Sequence, residues 1–386
     1  MRHGLAVVLL VIAVTGALAR PWRLPSWAPP TIASVVALLA GSVTLHETRV
    51  ALRPLAAPLA FVGLAVPLAV MLDEVGIFEE LARRAARTPK VVGACWLLAA
   101  CVVALLNLDA AVVLLTPLYV RTARRVGLDP LMLAFQPVLL AMLASGVLPV
   151  SNLTNLIAAS RLSLTSADFL AHLALPSALA SAAGWLAYRR VFPARATIEV
   201  HDEPADDRAL AVGGSAVVLF LVVLVGGERV GVPAWAAALV AIGFLVAFTR
   251  RVPWRQVPLG TVVLAGALSI VATGAARAFP HVLASAGDGG ARGFATGAVA
   301  GNLLNNLPAT LVTLPHITRV TRVWPLLFGL NAGPALLITG SLAGLLWQAS
   351  ARASGVSVTA GQFSRVGAIV GLPAMAIGLG VLLVVR

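Results

Sequence analysis

Residues 83–125 read RRAARTPK (83–90), VVGACWLLAACVVALLNLDAAVVLLTPLYV (91–120) and RTARR (121–125). The apolar middle is 30 residues long. As one straight helix it would measure about 45 Å, against a hydrocarbon core of about 30 Å. Both flanks are strongly basic, with Arg83, Arg84, Arg87 and Lys90 before it and Arg121, Arg124 and Arg125 after it. Basic clusters mark the cytoplasmic side of a membrane. With both ends on one side the run must enter and return, and Asn107 and Asp109 near its centre give it a polar tip. The sequence predicts a re-entrant hairpin over 91–120.

The rest of the chain suits the same solvent. Of its 386 residues 60% are hydrophobic and only 11% charged, with a mean hydropathy of +0.96. A water-soluble domain needs far more charge to cover its surface. The formal net charge of +13 is spread over the ends of apolar runs as topology signals facing anionic lipid, so no nucleic-acid surface is expected. Cys95 and Cys101 lie six residues apart in one apolar run, with no CxxC and no His beside them. They read as packing residues, not as a metal or redox pair. Residues 1–19, with Arg2-His3 and Ala17-Leu18-Ala19, imitate a secretory signal, but the topology requires them as an uncleaved first span.

Further spans are predicted at about 31–45 and 55–72, followed by an amphipathic interfacial helix over 73–90 with its acids first and its arginines last, the order that suits the helix dipole. After the hairpin come spans at 131–150, interrupted at Ser151–Asn155, and at 168–188. A polar stretch, 189–209, reads as a cytoplasmic linker. The second half repeats the plan with spans at 210–226, 232–249 and 258–276, a run over 293–318 broken at Asn302, Asn305, Asn306 and Pro308, a span at 325–345 interrupted around Thr339–Ser341, and a last one at 366–385. Five crossings plus a hairpin in each half make the halves inverted relative to each other. The expected fold is an all-α polytopic membrane protein. It has two inverted-topology repeats (1–188 and 210–386), about ten transmembrane helices and two re-entrant hairpins (91–120 and 293–318), with an external N-terminus.

Two hairpin tips and two interrupted spans would bring four unwound segments together near the midplane. Unwound backbone survives in lipid only where it is buried or lines a cavity, and Asn, Ser and Thr offer donors and acceptors without full charge. The expected substrate-binding residues are Asn107, Ser151, Asn152, Thr154, Asn155, Asn302, Asn305, Asn306, Thr339 and Ser341. The structural alternative is that they only cap the broken helices. Asp109 is the one acid of 15 in the middle of an apolar run. An ionisable group at that depth is usually functional, and desolvation favours its protonated form, so proton coupling is its expected role. The alternative is an N-cap for a helix starting at Ala110. His316 reads as a packing residue, Trp347 as an interface anchor, and Arg49, Arg161 and Arg277 as snorkelling side chains. The chain lacks HExxH and GxSxG; neither an enzyme nor a bound cofactor or metal is expected.

At these segments the chain resembles the ion transporter superfamily, and within it the arsenite efflux pump family. Asn107, Asp109 and Ala111 with Thr116-Pro117 resemble that family's first tip. Val150–Asn155 leading to Ser166-Ala167-Asp168-Phe169 resembles its first interrupted span. In the second half the resemblance runs through Asn306-Leu307-Pro308, Gly333-Pro334 and Gly340–Ala343 to Leu345-Leu346-Trp347. The chain departs from the family's Asp-x-Gly-Pro-Lys pattern, carrying Asn331-Ala332-Gly333-Pro334-Ala335, and has Ile338-Thr339 before Gly340. It also lacks the Ser-Asn-Thr tips of the sodium-coupled carboxylate branch, which argues against a sodium site. The resemblance implies a multi-pass protein of the cytoplasmic membrane. It would export arsenite or antimonite, as the neutral hydroxide, in exchange for protons. A soluble ATPase docked on the cytoplasmic face and a homodimeric assembly are compatible with it. The alternative is a sodium- or proton-coupled anion transporter, or a sodium/proton antiporter, on the same fold.

Overall fold

The decisive stretch folds as two helices, Val91–Leu105 and Leu108–Arg125, joined by Leu106 and Asn107 in extended backbone. Tyr119 Oη donates to the Cys95 carbonyl at 2.6 Å, and these residues stand twelve positions either side of Asn107. Only a chain that doubles back at Asn107 brings them together. The basic flanks meet accordingly, with Arg83 lining the same recess as Arg121 and Arg125. The return arm runs five residues past its expected end, because Arg124 and Arg125 suit the negative end of the helix dipole.

The structure, a computed structural model, describes residues 2–19, 24–193, 206–277 and 285–384. Every regular element among the described residues is helical. Five of the described helices are long and apolar enough to cross a bilayer: Leu45–Val75, Ser166–Val191, Asp207–Glu228, Trp254–Ala276 and Ala360–Val384. Shorter apolar helices include Gly4–Ala19, Ala28–Leu39 and Ala234–Thr249. The expected span at 31–45 differs. Its helix stops at Leu39, Gly41 turns the chain at φ 63°, and Thr44 and Glu47 form a capping box that starts a new helix. Twelve residues reach only about 18 Å, while the next helix gains ten residues at its start.

The interfacial helix also differs, spanning Ile77–Ala86 instead of 73–90. Gly76 at φ 90° ends the preceding helix and leaves Asp73 and Glu74 in its last turn. Ile77, Phe78 and Glu80 are buried. Arg84 Nε donates to Glu80 Oε1 at 2.8 Å, Arg83 Nη2 pairs with Oε2 at 3.1 Å, and the Asp206 backbone N–H donates to Oε2 at 3.1 Å. Arg84 Nη2 reaches on to Asp207 Oδ1 at 2.8 Å. This short helix therefore clamps the start of helix Asp207–Glu228. Of the expected linker, 194–205 lie outside the described residues.

The Arg84 hydrogen bond, then the Asp206 N–H and the two guanidinium charges, hold the Glu80 carboxyl below its ordinary value. A group depressed in the folded state stabilises above its ordinary pKa, about 4.3 for Glu, and loses that contribution as pH falls through the lower folded value. Melting of the detergent-solubilised protein is expected to drop by a few degrees more between pH 7 and pH 4 in wild type than in Glu80→Gln. Equal drops would remove Glu80 from the clamp.

After each hairpin the same order of elements recurs. Pro130–Leu143, a break and Leu153–Leu162 precede Ser166–Val191; Val323–Ala332, a break and Leu342–Ala353 precede Ala360–Val384. Ser166–Val191 and Ala360–Val384 pack on each other. The breaks are wider than expected, beginning at Ala144 and Gly333. Trp347 is not an interface anchor. It is fully buried, packs against the Phe135 ring at a tilt of 45° with ring centres 4.7 Å apart, and donates from Nε1 to the Ala134 carbonyl at 2.6 Å. Arg277, at the end of its helix, pairs with Glu47 Oε1 at 2.5 Å.

The entering arm of the second hairpin, Gly290–Leu304, lies against Val323–Ala332 and the turn after it. A Cβ on Gly297 would sit 2.4 Å from the Leu326 carbonyl oxygen, and one on Gly329 2.2 Å from that of Phe294. Small residues at four-residue spacing let the two backbones touch, the arrangement that membrane helices use where lipid offers no hydrophobic drive to associate.

Candidate functional site

Four helices begin at one place, and each has a polar cap. Asn107 Oδ1 accepts from the backbone N–H of Asp109 at 3.0 Å and of Ala110 at 3.5 Å. Asn152 Oδ1 accepts from Thr154 N–H at 3.1 Å, Asn305 Oδ1 from Leu307 N–H at 3.4 Å, and Ser341 Oγ from Gly344 N–H at 3.1 Å. These are the starts of the two hairpin return arms and of the two helices after the breaks. Helix N-termini carry partial positive charge and free N–H groups.

The four starts surround a cavity of about 50 Å³, in a measure where one water needs about 10–15 Å³. That leaves room for a few waters or one small solute. Its polar lining comes from Asp109, Asn152, Thr154, Asn305, Asn306, Ser26 and Thr261; Val14, Leu264, Leu268 and Leu342 are among its apolar walls. Helix Arg2–Ala19 is thus part of the site's wall, packed against Ala28–Leu39 and Leu259–Ala276.

Asp109 is not the cap of its helix. The helix starts at Leu108 with Asn107 as cap, which places the Asp109 carboxylate one residue further in, half-buried at the cavity edge. Among the described residues no hydrogen bond or ion pair reaches that carboxylate. The N-cap alternative for Asp109 therefore does not hold, since Asn107 makes that cap.

The other expected substrate residues divide in two. Asn152, Thr154, Asn305 and Asn306 line the cavity; Asn107, Ser151, Asn155, Asn302, Thr339 and Ser341 do not. The latter hold the walls. Ser151 Oγ donates to the Ala104 carbonyl at 2.5 Å, tying the first break to the first tip. Asn155 Nδ2 donates to the carbonyls of Ser145 and Leu148 at 2.7 and 3.3 Å, which pairs the unwound backbone of the break. Asn302 Nδ2 donates to the Gly333 carbonyl at the start of the second break at 2.7 Å and to the Ala298 carbonyl of its own helix at 2.8 Å. Asn305 Nδ2 donates to the Thr339 carbonyl at 3.0 Å. That bond helps hold Asn305 at φ 74°, ψ 148°, a conformation that costs a side-chain-bearing residue about 1–3 kcal/mol. Asn107 Nδ2 is buried with no partner among the described residues, as orphaned polar groups at working sites often are. His316 sits in a short 3₁₀ turn and is not among the cavity residues.

One residue had been passed over. Asn331 is buried at 2% exposure. Its Oδ1 accepts from Asn152 Nδ2 at 2.8 Å and Thr154 Oγ1 at 3.1 Å, and its Nδ2 donates to Asn155 Oδ1 at 2.8 Å. It joins the second half of the chain to the polar start of a helix in the first. A polar amide inside the apolar run expected at 325–345 was the available signal, comparable to the acid inside 91–120 that singled out Asp109.

Residues 7–337 match the citrate transporter family (CitMHS). The chain belongs to that family. It is therefore a membrane transport protein that handles ions or anions, a multi-pass protein of the inner membrane. Beyond the citrate transporter family as a whole, it is similar to the arsenical pump membrane proteins of Yersinia enterocolitica, Escherichia coli K12 and Shigella flexneri. Each is 26% identical over 98% of both chains. This citrate transporter relative thus matches arsenical pumps from end to end.

Proposed function

We propose that the chain exports arsenite or antimonite, taken as the neutral trihydroxide, in exchange for protons. Two inverted repeats would alternately open the cavity to either side, with the hairpins as re-entrant elements. The observation that carries the reading is the meeting of four polar-capped helix starts with one unpartnered carboxylate in a cavity of about 50 Å³. A pyramidal solute with three hydroxyls needs several weak donors and acceptors, which Asn152, Thr154, Asn305, Asn306 and the helix starts supply. Neither cysteine is among the cavity residues. This suits turnover, because a pathway must release what it binds. The choice of solute rests on the full-length similarity to arsenical pump membrane proteins.

One proton entering is worth about 2.3 kcal/mol per 100 mV, enough for more than tenfold accumulation at about 1.4 kcal/mol per decade. Everted membrane vesicles containing the protein are expected to accumulate arsenite when the lumen is made acidic, and to do so without sodium. No arsenite movement in wild-type vesicles would overturn the solute assignment.

The family's name favours a second reading, a small carboxylate anion. The cavity speaks against it: no Lys or Arg is among its described lining residues, and Asp109 would repel a polyanion. Sodium-dependent citrate uptake by the same vesicles would reverse the choice.

A further inference from the structure

Each of the four helix starts carries a leucine directly after a polar residue: Asn107-Leu108, Asn152-Leu153, Asn306-Leu307 and Ser341-Leu342. All four leucines line the central cavity. Leu108, Leu153 and Leu307 are buried and Leu342 is half-buried. Their register follows from the caps. Leu108, Leu153 and Leu342 are the first helical residues after theirs, and Leu307 is the second after Asn305. The capping oxygens of Asn107, Asn152, Asn305 and Ser341 turn back onto N–H groups of their own first turns. Hydrocarbon therefore stands beside every cap at the cavity wall.

Four helix N-termini around one space would ordinarily favour an anion, because free N–H groups and positive dipole ends both attract negative charge. The leucines oppose that. They place hydrocarbon where an anion would need water or donors, and losing water is far more costly for an ionised solute than for a neutral one. We infer that Leu108, Leu153, Leu307 and Leu342 form an apolar collar that rejects oxyanions and so sets the cavity's selectivity for a neutral hydroxylated solute, a role that rests on the solute reading proposed above. Asp109 repels anions from one side of the cavity, whereas the collar acts from all four helix starts.

The test is counterflow of labelled arsenite and of labelled arsenate in proteoliposomes of the full chain, with Asp109 kept in place throughout. Leu153→Asn/Leu342→Asn puts amides where hydrocarbon stood at nearly constant volume. Leu153→Met/Leu342→Met keeps both volume and apolar character. Wild type and the Met protein are expected to exchange arsenite and to exclude arsenate down to the level of empty liposomes. The Asn protein is expected to exchange arsenate about tenfold above that level, the scale on which a small change in pocket lining alters discrimination. Should the double Asn protein exchange neither solute, Leu342→Asn alone, at the half-buried position, gives the same reading. Exclusion of arsenate by both Asn proteins overturns the collar, as does arsenate exchange by wild type or by the Met protein. A wild type that exchanges neither solute overturns the arsenite reading alone, and the collar then stands or falls on whether the Asn proteins gain arsenate exchange.

Discussion

Vesicles carrying Asp109→Asn are expected to lose proton-driven arsenite accumulation, falling more than tenfold to the level of vesicles without the protein. Asn has nearly the shape of Asp and cannot take up a proton. Because no described group hydrogen bonds to the carboxylate, the swap breaks no contact and leaves the cap at Asn107 intact. Folding and downhill exchange of solute should therefore survive, and the loss should appear only where a pH gradient supplies the drive. Counterflow of labelled arsenite measures the first and accumulation against a gradient the second. A variant that accumulates like wild type would remove Asp109 from coupling. One that loses counterflow as well would make it a substrate contact instead.

The second large effect is expected at Asn331. Replacing it with Leu keeps the volume but strands the Asn152 Nδ2, Thr154 Oγ1 and Asn155 Oδ1 groups at once. Each buried polar group left unpaired costs about 1–3 kcal/mol, so the sum is on the order of 5 kcal/mol. Asn331→Leu should melt well below wild type and lose transport. Asn331→Asp keeps an acceptor for Asn152 and Thr154 and forfeits only the donor to Asn155, so it should fall between. Melting temperatures in that order, read on detergent-solubilised protein, would support the network. Wild-type melting in the Leu variant would show that these three groups find partners elsewhere.

How far the sequence carried the fold depended on which physics was being read. The first hairpin followed from two quantities, the length of 91–120 against the bilayer and the sign of its flanks, and both are linear in the chain. The helix stop at Leu39 did not follow, because Gly41 and the Thr44–Glu47 box are short-range signals inside a stretch of ordinary hydropathy. The breaks begin earlier than expected although Ser145-Gly146 and Gly333-Pro334 are breaker pairs, because the polar Asn, Ser and Thr residues further on, some of which pair the unwound backbone, were the signal followed. In the site, residue type identified the polar group of side chains but not their division of labour. An Asn at the start of a helix can cap, pair a stranded carbonyl or face a solute, and only the fold decides among them. Asn331 was weighed against a family pattern, where it stood for a missing acid, and not as an amide in apolar surroundings.

The glycine contacts between Gly290–Leu304 and Val323–Ala332 have a mechanical consequence. With the Leu326 and Phe294 carbonyls seated in the spaces at Gly297 and Gly329, the two rods are keyed. Sliding one along the other by less than a turn would drive a carbonyl into the next Cα or Cβ. They can travel only as a single carriage, taking the second tip and its neighbouring break together. In the first half the matching rod, Val91–Leu105, has one glycine, Gly93, set against Trp185, and meets Pro130–Leu143 through side chains such as Gln136, whose Nε2 donates to the Val92 carbonyl. Side chains can change rotamer where backbones cannot give way. Between these two pairs of rods, rotamer changes can therefore accommodate a slip in the first half, which carries Asp109, where the second half is keyed.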